Sequence, residues 1–250
     1  MAATAFVVIA VALAVGQFGP LVGGALAGLP IVLGPGFYFL IAKAQPEFVA
    51  HAAAYSILSL CATQVFLLVY IAVARRASPL WSCVAATAAW MVSVVLLRFL
   101  PINAWLGLAV FIGVTLATHR IGARFPRAAV KRRRAESLGL LLLRGGLAGL
   151  LVATVTMASG HLGVEWSGLL MAYPIGYTVL SVTIHEQFGS DTVMATLHSA
   201  IMGTVSLGAY CAALALVTPV LPYYGAFVVA LAVSLVVTLG LVLWSRLRAA

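Results

Sequence analysis

Residues 220–245 read VLPYYGAFVVALAVSLVVTLGLVLWS, a stretch without a single charged side chain. A helix that crosses the hydrocarbon core of a bilayer needs about 20 predominantly apolar residues. This stretch therefore predicts a transmembrane helix. Similar unbroken apolar runs recur along the chain, whereas a transmembrane β-barrel would show ten-residue segments of alternating polarity.

The composition indicates that the whole chain is a membrane protein. Of the 250 residues, 64% are hydrophobic and only 8% are charged, whereas soluble domains carry about 25% charged residues. So few charges exclude a soluble catalytic domain. The net charge of +9 does not indicate nucleic-acid binding, because the basic residues lie between apolar runs, where positive charge sets membrane topology.

The apolar runs predict an all-α, polytopic membrane protein with about nine transmembrane helices. The fifth run is the shortest, because Pro101 and Asn103 interrupt its start. The predicted spans cover residues 2–22, 25–43, 47–74, 80–98, 101–118, 137–160, 165–184, 190–217 and 220–245.

The distribution of Lys and Arg favours nine spans over eight. With nine spans, Arg75, Arg76, the loop 119–136 and the C-terminal tail share one side, which then carries eleven basic residues against two on the other. With eight spans, Arg75 and Arg76 would face away from the basic loop. The positive-inside rule therefore predicts a multi-pass protein of the bacterial inner membrane, with its N-terminus outside and its C-terminus in the cytoplasm.

An offset of 144 residues brings two similar segments together. AGLPIVLGPG, from Ala27, precedes QPEFVA, and MAYPIGY, from Met171, precedes GSDTVM. Pro30 aligns with Pro174, and the acidic Glu47 and Asp191 align as well. The offset predicts two related units that each contain four helices.

The predicted units are residues 1–100 (repeat 1, spans 1–4) and 137–250 (repeat 2, spans 6–9), joined by residues 101–136, which hold a linking helix and the basic loop. Four helices return the chain to its starting side, so the single linking helix inverts the second unit. Inverted repeats are typical of secondary transporters, whose sites lie near the midplane where the repeats meet.

The string from Ala27 to Pro30, followed by the acidic start of the third span at Glu47, resembles the GlpM-type family of small four-helix bacterial membrane proteins. The resemblance covers spans 2–4 and, more weakly, spans 7–9. It implies an inner-membrane protein and supplies no catalytic residue. The fifth span and the basic loop have no counterpart in a four-helix unit.

Proline and glycine interrupt spans 2 and 7 at equivalent places. A proline inside a span frees a backbone carbonyl, which can contact an ion or polar substrate where it lines a cavity. The alternative is a simple kink packed against neighbouring helices. On this pattern Pro30, Gly34 and Pro35 in span 2, and Tyr173 and Pro174 in span 7, are candidate pathway residues.

Acidic residues and histidines in spans 3 and 8 complete the candidate pathway. Glu47, His51 and Tyr55 follow one another at intervals of four on a single helical face, and His198 lies on the face of Asp191. Such groups are costly inside a membrane and suggest a proton relay or a substrate contact, whereas an acid at a helix start also caps the helix dipole.

Gln64 and Ser199 are further polar residues within these two spans. They either line the pathway or form hydrogen bonds between helices. His185, Glu186 and Gln187 follow span 7 and are interpreted as a solvated turn.

These features predict a secondary transporter or permease that moves a small metabolite or ion across the bacterial inner membrane, with proton coupling as an option. The first alternative is an accessory subunit of an export or cell-envelope pathway without transport of its own. The second alternative is an intramembrane enzyme, although no nucleophile or metal-ligand cluster supports catalysis. No cofactor or metal is expected. The expected partners are the bilayer and the substrate, and glycine-rich helix faces such as Gly19-xxx-Gly23 suit close packing, including against a second copy.

Overall fold

The computed structural model describes residues 30, 33–41, 45–100, 104–125 and 173–247. These residues form helices and their connections, without a strand in the described ranges. The helices are α1 Leu33–Ile41, α2 Pro46–Val73, α3 Pro79–Leu97, α4 Ala104–Ala123, α5 Ile175–Phe188, α6 Ser190–Val217 and α7 Tyr223–Leu247. The predicted spans 2–22 and 137–160 lie outside the described residues, as do parts of spans 25–43 and 165–184.

Five of these helices, α2, α3, α4, α6 and α7, are long and apolar enough to cross a bilayer. The protein is therefore an all-α membrane protein, as its composition predicts. The predicted spans 47–74, 80–98 and 190–217 agree with α2, α3 and α6 to within one residue. The described residues contain seven helices, so the count of nine rests on residues beyond them.

The fifth predicted span is a full helix that ends later than expected. The sequence suggests an end at residue 118, but α4 continues through His119 and Arg120 to Ala123. A basic residue in the last helical turn interacts favourably with the negative end of the helix dipole, so Arg120 suits a position inside the helix.

The interpretation of His185, Glu186 and Gln187 as a solvated turn is wrong. All three belong to the last turns of α5, and the Gln187 side chain is buried. The helix ends at Phe188 and is followed by Gly189, whose φ of 84° is a backbone conformation that glycine adopts without steric cost. This single residue separates α5 from α6.

The long helices α2 and α6 form the centre of the described bundle. The apolar parts of α2 and α6 are 61% and 67% buried, against 22%, 28% and 22% for α3, α4 and α7. The helices α3, α4 and α7 instead carry exposed large apolar side chains such as Trp81, Leu116 and Val236. Lipid tails are a suitable environment for this outer surface, which in water would be an aggregation liability.

Contacts between side chains show that α2 and α6 run antiparallel. Gln64 of α2 is bonded to Thr204 of α6, and Arg75, just beyond the C-terminus of α2, contacts Asp191 in the first turn of α6. Residue numbers thus rise along one helix as they fall along the other. The helix α4 packs against both α2 and α6.

The described helices are spaced at equal intervals in the two halves of the chain. The helices α2 and α6 begin at residues 46 and 190 and end at residues 73 and 217, and α3 and α7 begin at residues 79 and 223. Each of these pairs differs by 144. The packing is matched as well: α2 packs on α3 as α6 packs on α7, and α1 packs on α7 as α5 packs on α3.

The close approach of α4 and α6 can be tested by a substitution at Gly208 of α6. A Cβ at this position would lie 2.6 Å from the Phe111 ring, so we expect Gly208→Ala to destabilise the protein by about 1–3 kcal/mol through overpacking. Thermal unfolding in detergent measures this change. Gly113→Ala in α4 is the matched control, because no atom lies within 4 Å of a Cβ there. Equal stability of the two variants would contradict the described packing.

Candidate functional site

A buried polar cluster joins α2, α4 and α6 in the middle of the bundle. Gln64 has no exposed surface, and its Nε2 lies 2.7 Å from Thr115 Oγ1 of α4 and 2.8 Å from Thr204 Oγ1 of α6. Both threonines are buried, and each lies near the middle of its helix. One amide side chain therefore connects three helices at the depth where polar groups are least easily accommodated by a membrane.

The hydrogen-bond directions in this cluster follow from its chemistry. Thr115 Oγ1 donates to Phe111 O, and Thr204 Oγ1 donates to Ile201 O, both at 2.7 Å. A hydroxyl has only one proton to donate, so both threonines accept from the Gln64 amide, which thereby uses both of its protons. Gln64 Oε1 has no hydrogen-bond partner among the described residues, an arrangement that costs about 1–3 kcal/mol.

His119, one turn beyond Thr115 in α4, lies beside His198 of α6. The rings of His119 and His198 have centroids 4.5 Å apart and planes inclined at 31°. His198 Nε2 is 3.1 Å from the backbone oxygen of His119, and because a carbonyl only accepts, this nitrogen carries the proton. A Cβ at Gly122 would lie 2.8 Å from His198 Cδ2, so glycine at this position lets the imidazole pack against α4.

The two halves are also joined at one end of the bundle. Arg75 Nε and Nη2 donate to Asp191 Oδ1 at 3.0 and 2.6 Å, with both side chains partly exposed. Nearby, Tyr70 Oη lies 3.2 Å from His185 Nδ1. Burial lowers the pKa of His185, while the adjacent Glu186 carboxylate opposes this effect. The Tyr70 hydroxyl donates to Pro79 O at 3.4 Å, so Tyr70 links His185 of α5 to the start of α3.

The interruption of span 7 forms the start of α5. Pro174 is buried and directly precedes the first residue of this helix. The half-buried Tyr173 Oη is 2.8 Å from Thr87 Oγ1 of α3 and 3.0 Å from Thr178 Oγ1 of α5. These residues therefore connect α3 to α5, at a place separate from the Gln64 cluster.

The interruption of span 2 lies at the start of α1. Pro30 and Gly34 are buried, and the Gly34 backbone N–H donates to Pro30 O at 2.7 Å. Pro35 lies within α1, and its side chain lies outside the described part.

The acidic residues and histidines of spans 3 and 8 are divided between different surroundings. Glu47, His51 and Tyr55 are exposed on one face of α2. Asp191 is at the opposite end of the bundle from Glu47, because α2 and α6 run antiparallel, and it is paired with Arg75. Ser199 is half-buried. Of the predicted pathway residues, Gln64 and His198 are those whose described contacts reach α4.

The sequence does not identify Thr115 and His119 as partners in this cluster, and it identifies Thr204 only as one of several polar residues in span 8. It predicts that span 5 ends before His119, which places this histidine in a loop. A helix four or five residues longer would have placed Thr115 and His119 one turn apart on one face of α4. The contacts of Gln64 with two other helices leave no local signal in the sequence.

No family model, no curated protein and no solved structure matches this chain. The resemblance to the GlpM-type family therefore stays a prediction.

The pair formed by Arg75 and Asp191 can be tested by charge reversal. Arg75→Asp places two carboxylates together, and the double variant Arg75→Asp/Asp191→Arg restores attraction. Because the pair is partly exposed, we expect a coupling energy of about 0.2–1 kcal/mol that decreases with salt, measured by thermal unfolding. Arg76→Asp serves as the neighbouring control. A double variant no more stable than the sum of the single effects would show that the pair does not join the halves.

Proposed function

We propose that this chain is a secondary transporter or permease that moves a small metabolite or ion across the bacterial inner membrane, with proton coupling as an option. Residues 1–100 and 137–250 would form two inverted repeats, linked by residues 101–136. The observation that carries this proposal is the antiparallel contact of two equally placed helices, α2 and α6, around the buried amide of Gln64.

The equal spacing of the helices supports an inverted repeat. Equivalent helices of a parallel repeat would run in the same direction, whereas α2 and α6, which occupy equivalent positions at an offset of 144, run in opposite directions. A two-fold axis in the membrane plane relates helices in this way. The matched packing of α1 on α7 and of α5 on α3 agrees with such an axis.

The position of the polar cluster supports transport. Polar and ionisable groups within membrane helices mostly face the interior of the bundle, where they mark substrate, ion or proton pathways. Gln64, Thr115 and Thr204 are buried where α2, α4 and α6 meet, and His119 and His198 continue the polar line toward the C-terminus of α4.

The basic ends of the helices support the proposed orientation. Arg75 and Arg76 follow the C-terminus of α2, and Arg120 and Arg124 lie at the C-terminus of α4. Since α4 packs between α2 and α6 and its His119 meets His198 near the start of α6, these four residues belong to the same end. The positive-inside rule supports a cytoplasmic position for this end.

Thiol accessibility distinguishes a transporter from an accessory subunit. After replacement of Cys61, Cys83 and Cys211, we expect single cysteines at Thr204 and His198 to react with a membrane-impermeant maleimide, because a pathway admits water. A cysteine at Ser206, whose hydroxyl is bonded to Ser234 and Thr238 between α6 and α7, is the matched control and should stay unreactive. An accessory subunit that buries its polar residues predicts no reaction at any of the three.

Transport itself is tested with the purified chain in liposomes, by a screen of metabolite and ion uptake with and without a pH gradient. We expect at least one solute to enter faster than into empty liposomes. If no solute enters and cysteines at 198 and 204 stay unreactive, the transporter proposal is overturned in favour of the accessory subunit.

A further inference from the structure

Among the described residues, the Gln64 cluster has an acceptor without a partner and no donor without one. Its donors are all used, because the amide donates to Thr115 and Thr204 and each threonine donates to a backbone carbonyl. What is left is the carbonyl oxygen Oε1, which is fully buried and has no partner in the described ranges. An oxygen acceptor without a partner can bind a donor. A ligand at this position must therefore present an N–H or O–H group.

The charged side chains in the described part of the chain restrict the ligand further, because none of them belongs to the cluster. Every Asp, Glu, Lys or Arg with a described side chain is exposed or only partly buried, and all of them lie near helix ends. A full charge buried without a partner is far more costly than a buried dipole. The cluster therefore suits a donor that is itself uncharged.

The matching position in the other half carries no acceptor side chain. The offset of 144 pairs Gln64 with Gly208, and the Phe111 ring occupies the space beside this glycine, within 2.6 Å of where a Cβ would lie. An apolar ring beside the polar cluster is typical of small-molecule sites, in which a few polar groups orient a ligand among apolar walls.

We propose that Gln64 Oε1 is the acceptor for a small, uncharged hydrogen-bond donor, of the class of amides and polyols, on its way through the protein. This inference rests on the proposed transport function and names its substrate class. Thr115 and Thr204 act as positioning residues, since they hold the amide so that its oxygen points away from its two donor contacts. Phe111 supplies an apolar surface beside the ligand.

The experiment uses the full chain in liposomes and follows light scattering after mixing with hyperosmotic urea, formamide or glycerol. Sodium chloride and methylammonium chloride at equal osmolarity are the charged probes. We expect the uncharged solutes to enter faster than into empty liposomes and the charged probes not to. Gln64→Leu should reduce this entry by about tenfold, the effect of one lost hydrogen bond to a buried group.

Two variants keep the test independent of folding. Gln187→Leu removes another buried amide, whose Nε2 also lacks a partner among the described residues, and should leave solute entry unchanged. Thr204→Val is nearly isosteric and releases one of the two bonds that orient Gln64, so it should reduce entry by less than Gln64→Leu does. Elution volume and unfolding temperature identify any variant that does not fold. If Gln64→Leu does not fold, the rate of solute entry through Thr204→Val tests the role of Gln64.

The outcomes separate this inference from the transport proposal. Unchanged entry in both the Gln64 and Thr204 variants, an equal loss in Gln187→Leu, or entry of charged probes alone overturns the assignment of Gln64 while transport stands. Entry of no solute, together with unreactive cysteines at 198 and 204, overturns both.

Discussion

Gln64 donates both of its amide protons across helix boundaries, one to α4 and one to α6, from a position with no contact with solvent. Hydrocarbon offers no hydrogen-bond partners, so a polar side chain at this depth must find them on neighbouring helices. This requirement joins three spans, and the antiparallel contact of α2 with α6 and the position of α4 between them agree with it. The contact of Arg75 with Asp191 then fixes the same two helices at the end of the bundle.

The two halves match in helix spacing but differ in chemistry where they meet. The offset of 144 pairs Gln64 with Gly208, and Asp191 has a partner in Arg75, whereas its counterpart Glu47 is exposed. Helices with equal spacing and unequal side chains place one open acceptor at Gln64 and one ion pair at the Arg75 end.

Much of the fold could be predicted from the sequence, because the apolar length and charge of each span are local properties. The limits of α2, α3 and α6 follow from the sequence to within one residue. The sequence also predicts that Arg75 and the basic C-terminus of α4 lie at the same end. The candidate site was predicted only in part. Gln64, His198 and the polar Thr204 follow from the sequence, but Thr115 and His119 do not, because the residues that meet across three helices depend on helix rotation and register. Glu47, His51 and Tyr55 share a helical face as predicted, yet that face is exposed rather than buried.

The antiparallel contact of α2 and α6 is the central claim, and pulsed electron–electron double resonance between spin labels tests it most directly. With native cysteines replaced, labels at positions 76 and 190 should lie close together, since Arg75 contacts Asp191. Labels at positions 48 and 190 should be about 40 Å apart, because α2 extends by 1.5 Å per residue between residues 48 and 76. A short distance from 48 to 190 together with a long distance from 76 to 190 would mean that the helices run parallel, and would contradict the inverted arrangement.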